Sequence, residues 1–248
     1  MMKTRNTNSV LLFFLLMLFL FITSKNSYSQ SCGFGCLGLS GVYGGFTIQD
    51  FKADGINDWI KSYSTTGANF EFNKGEGFRI GTNLFRARFD GYFITAKGFF
   101  QFINEEYTTS SDLTSTLSES YKLKHNYWGV ALDFGVPLFS IIDLKIIEGG
   151  VNFYNVELKS NRFVNNIQTT ENKIENTKLD IGYYVGSGIL IHIVPDYISI
   201  EGTASYNFYK INEFMDDNGD AVQIQQGDNF VENKGISATV QLNLGFPL

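Results

Sequence analysis

The sequence predicts an all-β fold, an eight-stranded antiparallel up-and-down transmembrane β-barrel, from three observations. The last stretch alternates without a break, with Ile236, Ala238, Val240, Leu242, Leu244, Phe246 and Leu248 on one face and Ser237, Thr239, Gln241, Asn243 and Gly245 on the other. Period two marks a strand. A terminal strand with an apolar flank and no charge after Lys234 is unprotected as an edge in water, whereas closing a barrel with that flank toward lipid removes the edge. The composition sets 25 Gly, 24 Phe and 13 Tyr against 3 Pro, which favours strands over helices. The connections between alternating segments run long, short, long, short through the chain, the rhythm of barrel hairpins.

The N-terminus reads as an export signal. Lys3 and Arg5 precede an apolar run from Val10 to Ile22, followed by polar Thr23 to Gln30. The run is short of the roughly 20 residues that span a bilayer as a helix. It suits a secretory signal peptide, and Ser27-Tyr28-Ser29 supplies small residues before a cut near Gln30. Residues 1–29 are therefore expected to be cleaved, with 30–36 a short periplasmic segment and 37–248 the barrel domain. The formal charge is −6, and the leader carries Lys3, Arg5 and Lys25 but no acid, so the mature chain is more acidic still. Without clustered Lys and Arg, no nucleic-acid partner is expected. The two cysteines, Cys32 and Cys36 in CGFGC, are a candidate local disulfide for an oxidising exported compartment. Lipidation at Cys32 is the alternative, but Ser29-Gln30-Ser31 matches a lipobox poorly.

The elements follow in order. Leu37 to Gln49 is a glycine-rich first strand; Asp50 to Glu76 is a long polar loop, with a short hairpin extension at Ala68 to Phe72. Gly77 to Arg88 and Tyr92 to Tyr107 are strands two and three, joined at Asp90-Gly91, a tight-hairpin signal. Thr108 to Glu119 is a Ser/Thr-rich loop. In the fourth strand, Tyr121 to Val136, residues Trp128, Val130, Leu132, Phe134 and Val136 oppose Tyr127, Gly129, Ala131 and Asp133. Pro137 is expected to break the pairing before the fifth strand, Asp143 to Lys159. Asn161 to Glu175 reads as a polar loop, and Thr177 to Val194 as the sixth strand. Pro195-Asp196 turns into the seventh, Tyr197 to Lys210, and Asn212 to Asn233 is the last loop.

The polar face carries Gly129, Gly150, Gly182, Gly186, Gly188 and Gly245. Small residues suit a cramped interior better than a solvated exterior, so the apolar face is placed outward, in lipid. Trp128, Phe153, Tyr206, Phe208 and Phe246 lie on that face as candidates for an interfacial aromatic girdle. A leader followed by eight alternating strands with this loop rhythm resembles the small outer-membrane barrels of the OmpX and OmpA-barrel type, over Leu37 to Leu248. The resemblance implies residence in a bacterial outer membrane, contact with outer-membrane lipid, and delivery by barrel insertion machinery that reads a C-terminal aromatic. Phe246 is the candidate for that aromatic, although Pro247 and Leu248 follow it.

Charged residues on the inner face are the candidate site: Arg86, Lys97, Asp133, Glu148 and Glu201. Arg86 faces inward only if the strand phase slips near Gly81. Opposite charges in a narrow lumen must pair, because isolated buried ions cost several kcal/mol each, so a salt-bridged plug is the expectation. Neither His125 nor His192 has a serine at a fixed short offset, so no catalytic residues are assigned. Asp216 to Asp220 lacks the glycine and glutamate of a calcium loop, and no metal or cofactor is expected. The expected role is structural or surface-interacting and non-enzymatic, with an extracellular ligand met through loops 50–76 and 212–233. A narrow porin-like channel and a soluble lipocalin-like carrier of an apolar ligand are the alternatives.

Overall fold

The computed structural model describes residues 40–67, 69–110, 116–195, 197–222, 229–233 and 235–245. The leader, Cys32, Cys36 and Phe246 lie outside them. Its elements are β1 (Gly41–Asp50), α1 (Asp54–Tyr63), β2 (Lys74–Arg88), β3 (Phe93–Ser110), β4 (Leu117–Phe139), β5 (Ile142–Val164), β6 (Ile167–Asn176), β7 (Asp180–Val194), β8 (Ile198–Phe208), β9 (Lys210–Ile211), β10 (Phe214–Asp216), β11 (Val231–Glu232) and β12 (Ile236–Gly245).

Eight strands close into a ring in the order β1, β2, β3, β4, β5, β7, β8, β12. The ring closes where β1 meets β12, antiparallel from Gly41↔Gly245 to Gln49↔Ser237. The terminal strand thus has a partner on both sides, β1 and β8, and no exposed edge. Tight connections at 89–92, 140–141 and 195–197 share one end with the start of β1 and the finish of β12. The long connections share the other.

The wall changes character along its length. On β4 the outward residues Trp128, Val130, Leu132 and Phe134 are exposed apolar side chains, while Gly129, Ala131 and Asp133 are buried inside. From Trp128 to Leu138 is about ten steps of roughly 3.3 Å, which at a tilt near 40° spans about 25 Å, the height of a membrane belt. Beyond Trp128 the pattern inverts. Lys122 and Lys124 now point outward, and Tyr121, Leu123, His125 and Tyr127 are buried inside. β5 inverts at the same level, with Phe153 the last apolar outward residue before Glu157 and Lys159, and with Val156 and Leu158 buried within. Below that line the barrel is apolar outside and polar inside; above it, the reverse. A soluble carrier would keep the second arrangement throughout.

Several expectations are corrected. The stretch Asp50 to Glu76 is not a plain loop: Ile56 and Ile60, one helical turn apart, bury one face of α1. The supposed hairpin near Phe72 is absent among the described residues there, and β2 begins at Lys74 instead. Pro137 does not end β4; it pairs with Asp143, and a bulge to Phe139 absorbs the missing N–H. Most of 161–175 is strand, because β5 and β6 form a hairpin above the belt, turning at Asn165 and Asn166 (φ 53° and 61°). Asparagine tolerates these left-handed conformations.

Candidate functional site

At mid-height, six charged side chains from five strands meet inside the barrel. Lys97 on β3 bonds Glu201 Oε1 and Oε2 at 2.8 and 3.1 Å and Asp133 Oδ2 at 2.7 Å. Lys145 on β5 bonds Glu148 and Glu201 and lies 3.4 Å from Asp133. Arg79 on β2 approaches Glu148 at 3.9 Å and donates from Nε to Gln101 Oε1 at 2.6 Å. All six are buried. Three cations face three carboxylates, so the formal charges cancel. Neutral donors complete Glu201: Thr203 Oγ1, Gln241 Nε2 and Asn243 Nδ2 each donate at 3.2 Å. Tyr184 donates to Glu148 at 2.7 Å. The carboxylates of Asp133, Glu148 and Glu201 lie close enough for a shared cation, but the ammonium groups of Lys97 and Lys145 already fill that role.

Four of the five charges singled out from sequence, Lys97, Asp133, Glu148 and Glu201, come together here. Arg86 is placed apart. The phase of β2 does slip, but at the bulge between Asn83 and Phe85 rather than near Gly81. Arg86 then pairs with inward Thr95, and its guanidinium lies 5.9 Å from the Phe93 ring. It belongs to a lower group in which Arg88 Nη2 and His192 Nε2 meet the two oxygens of Asp143 at 3.0 and 2.8 Å. Ser199 is the cross-strand neighbour of His192, but its Oγ accepts from Asn243 at 3.3 Å.

Arg79 and Lys145 were not anticipated. Arg79 shares the parity of Gly77 and Gly81, which was a usable signal. Lys145 and Glu148 both face inward because a bulge places Ile146 and Ile147 outward together; two adjacent apolar residues in an alternating strand mark such a site.

Above the charges, hydrogen bonds climb from Gln101 to the Tyr127 hydroxyl, from there to Gln49 at 3.0 Å, and on to Tyr209 at 3.4 Å. His125 is stacked on Tyr154 with ring centroids 5.2 Å apart and touches Phe51 and Tyr209. The two histidines thus lie on different levels. Over this aromatic layer sits α1, its Ile56 and Ile60 buried with Phe51, Ala53, Phe72, Ile103, Leu123 and Phe230 in one core. Two polar clamps hold it. Asn57 exchanges hydrogen bonds with the Phe72 backbone at 2.9 and 3.2 Å. Glu119, buried, accepts from Ser64 (2.8 Å), Thr65 (2.9 Å), Thr66 (2.9 Å), Tyr121 (3.0 Å) and Arg162 (3.0 Å). Burial alone would raise the carboxyl of Glu119, but the hydroxyl donors outweigh it and hold the group down at about 2.

Of the other sequence candidates, Trp128 and Phe153 stack at 4.0 Å, and Tyr206 and Phe208 lie 4.9 Å apart, all on the outward face near the line where the wall inverts. In the last loop, Asp216 folds back on itself, accepting from the backbone of Asn218 and Asp220 at 2.9 Å, with Gly219 at φ 84°. Its carboxylate is committed to a turn.

No protein-family model matches the chain, and no curated protein is similar to it in sequence. Among solved structures it is similar to the attachment invasion locus protein Ail of Yersinia pestis at 13% identity, over 85% of this chain and 98% of that one, TM-score 0.41. It is also similar to a major outer membrane protein of Thermus thermophilus (13%, 84% and 100%, TM-score 0.45) and to the outer membrane protease OmpT of Escherichia coli (10%, 84% and 94%, TM-score 0.41). Ring closure, the apolar outer belt and the polar interior are the chain's own features, and they make it an eight-stranded β-barrel of the outer-membrane type.

Proposed function

We propose that the protein is a closed, non-enzymatic barrel of the bacterial outer membrane that works through its long-loop end, which faces the outside, while the tight turns and both barrel termini face the periplasm. One observation carries this reading: the interior is filled twice over, by the charge-balanced group of Arg79, Lys97, Lys145, Asp133, Glu148 and Glu201, and above it by α1 with its apolar core. An eight-stranded barrel has room for little more than its own side chains. Solute would have to displace paired ions and a packed helix together.

The working surface is then what projects beyond the cap. Much of 50–76 is docked into the barrel mouth rather than displayed. The tip of the β5–β6 hairpin is different: Asn165, Asn166, Ile167, Gln168 and Thr169 are all exposed. Loops carry recognition when a rigid scaffold presents them, and β5 runs without a break from the barrel wall into this hairpin.

The test is planar-bilayer recording of the unmodified protein, beside electrophoresis with and without boiling in SDS. A heat-dependent band shift without conductance steps is expected. Steady single-channel steps from the unmodified protein would overturn the closed reading. Recovery in the aqueous fraction, with no band shift, would overturn the membrane assignment.

A further inference from the structure

His125 is buried inside the barrel above the membrane belt, three residues beyond Trp128 on β4, and neither of its ring nitrogens has a hydrogen-bond partner among the described residues. Its surroundings explain why. Phe51, Tyr127, Tyr154 and Tyr209 enclose the ring, with centroids 5.5, 5.9, 5.2 and 5.1 Å away, and its cross-strand neighbour on β5 is buried Val156. The three phenols are engaged elsewhere: Tyr127 donates to Gln49 at 3.0 Å, while Tyr209 and Tyr154 accept from Gln49 and Asn152 at 3.4 and 3.1 Å. No charged side chain acts on the imidazole from any of these elements, and phenols stay un-ionised well above neutrality. A neutral imidazole always carries one N–H, so the closed barrel leaves a buried donor without an acceptor.

Phenylalanine would fill the same box without that cost. What histidine adds is a proton site. A second proton gives the ring two donors and a full charge where nothing receives them, a state that burial opposes. Water relieves it only if the box opens. The side free to open is the upper one, because Phe51 lies three residues ahead of α1 and shares a core with Ile56 and Ile60, whereas Tyr127 and Tyr154 are fixed in β4 and β5. Lifting α1 therefore takes Phe51 off the imidazole. We propose that His125 is a proton-operated release for the cap: uptake of one proton undocks α1 and turns segment 50–76 from a lid into a displayed loop in mildly acidic surroundings. This rests on the reading of 50–76 as a docked outer cap.

Burial holds the imidazole of the closed barrel down at about 3, against an ordinary 6.5. A base lowered in this way favours closure fully above its ordinary value and progressively less as the pH falls toward 3. With the open cap giving the ring its ordinary value, the open fraction rises roughly 25-fold between pH 7 and pH 5. Glu119 stays ionised over this range, so its clamp is constant.

Hydrogen exchange of the α1 amides in the full barrel, referred to the intrinsic rate at each pH, tests the release. Protection is expected to fall roughly 25-fold from pH 7 to pH 5 in the unmodified protein. It is expected to stay level in H125F, which keeps the aromatic packing without the proton site, and to fall as before in H192Q, which alters the other histidine. Glu105 accepts from the Asn73 and Lys74 amides at 3.0 and 3.2 Å, at the far end of the segment; it is present in every sample, so a fall that it caused would survive in H125F. Level protection in the unmodified protein, or the same fall in H125F, overturns the release. If H125F does not fold, NMR titration of the His125 ring in the unmodified protein decides. A ring still neutral at pH 5 wherever α1 is protected supports the release, and one that titrates near 6.5 with protection unchanged overturns it. Bilayer recording separates the two readings: level protection in a non-conducting barrel refutes the release alone, and conductance at pH 7 refutes the closed barrel on which it stands.

Discussion

Replacing Glu201 by Gln tests the interior charge group most directly. Glu201 is buried and holds both Lys97 and Lys145. At an effective dielectric of about 20, a charge pair at the 2.8 Å separation of Lys97 and Glu201 is worth about 6 kcal/mol of attraction. Desolvation offsets part of this, and removing one member of a buried pair costs a net ~3–5 kcal/mol because the partner stays buried and uncompensated. E201Q keeps the shape but leaves three cations against two carboxylates, so it is expected to lose about that much. K145M, which leaves the opposite excess, is expected to lose a similar amount. The double variant restores two against two, and its loss is expected to fall short of the sum by at least ~2 kcal/mol, the scale seen for directly contacting residues. Urea unfolding in detergent or lipid, followed by the SDS band shift, measures all three. Strict additivity would refute the claim that charge balance, rather than simple packing, holds the interior together.

Three further outcomes follow from the geometry. Glu119 has a folded value near 2 against an ordinary 4.5, so its contribution to holding α1 is full above about pH 4.5 and is lost as the pH falls through about 2. Protection of the α1 amides, referred to the intrinsic exchange rate at each pH, is expected to fall across that window in the native protein and to be already low, with no such step, in E119A; an identical acid response in both contradicts the clamp. A side chain at inward Gly81 would meet the Tyr43 ring at 2.3 Å and the Gly98 carbonyl at 2.6 Å, whereas outward Gly202 meets nothing within 4 Å. G81V is therefore expected to cost ~1–3 kcal/mol as overpacking and G202A to change stability far less, and a reversed ranking in urea unfolding would show that the faces are wrongly assigned. The protein contains two tryptophans, so W59F leaves Trp128 alone, and its fluorescence in vesicles is expected to be quenched most by lipids brominated near the headgroup; quenching strongest at the bilayer centre would displace the line where the wall inverts.

Much of the barrel was legible because its lower strands obey one rule over many residues. The alternation from Trp128 to Val136 names both faces of β4, and the inward glycines follow from the same parity. What escaped detection breaks that rule locally. Lys145 and Glu148 share a face only through a bulge, and a bulge needs a partner strand to exist, so periodicity within one strand does not register it. Pro137 reads as a breaker in isolation, yet the neighbouring bulge absorbs it. The cap was missed for a different reason. Above the belt the lipid no longer selects apolar outward residues, the polarity of the wall inverts, and Lys122-Leu123-Lys124 reads simply as polar. Ile56 and Ile60 were the available sign that 50–76 holds a helix. Where β12 begins relative to β8 is a registry between segments about 30 positions apart that no single stretch encodes.

β5 has two successive neighbours on the same side: β7 as far as Tyr154↔Asp180, and β6 from Glu157↔Glu175 upward. Below this fork the strand is part of the ring; above it, part of a sheet in which β6 also pairs with β10 and whose inner face packs on α1. β4 and β5 run through both regions without interruption, each 23 residues long, or roughly 75 Å of extended chain at about 3.3 Å per residue. They form a mast stepped through the membrane. A pull on the hairpin tip at Asn165 and Asn166 would load the β4–β5 ladder in shear, with many hydrogen bonds sharing the force, and would leave the β1–β12 closure on the far side of the ring almost unstressed. A load on the tip would therefore pass into the barrel through its longest pairing, from Leu117↔Val164 to Phe139↔Ile142.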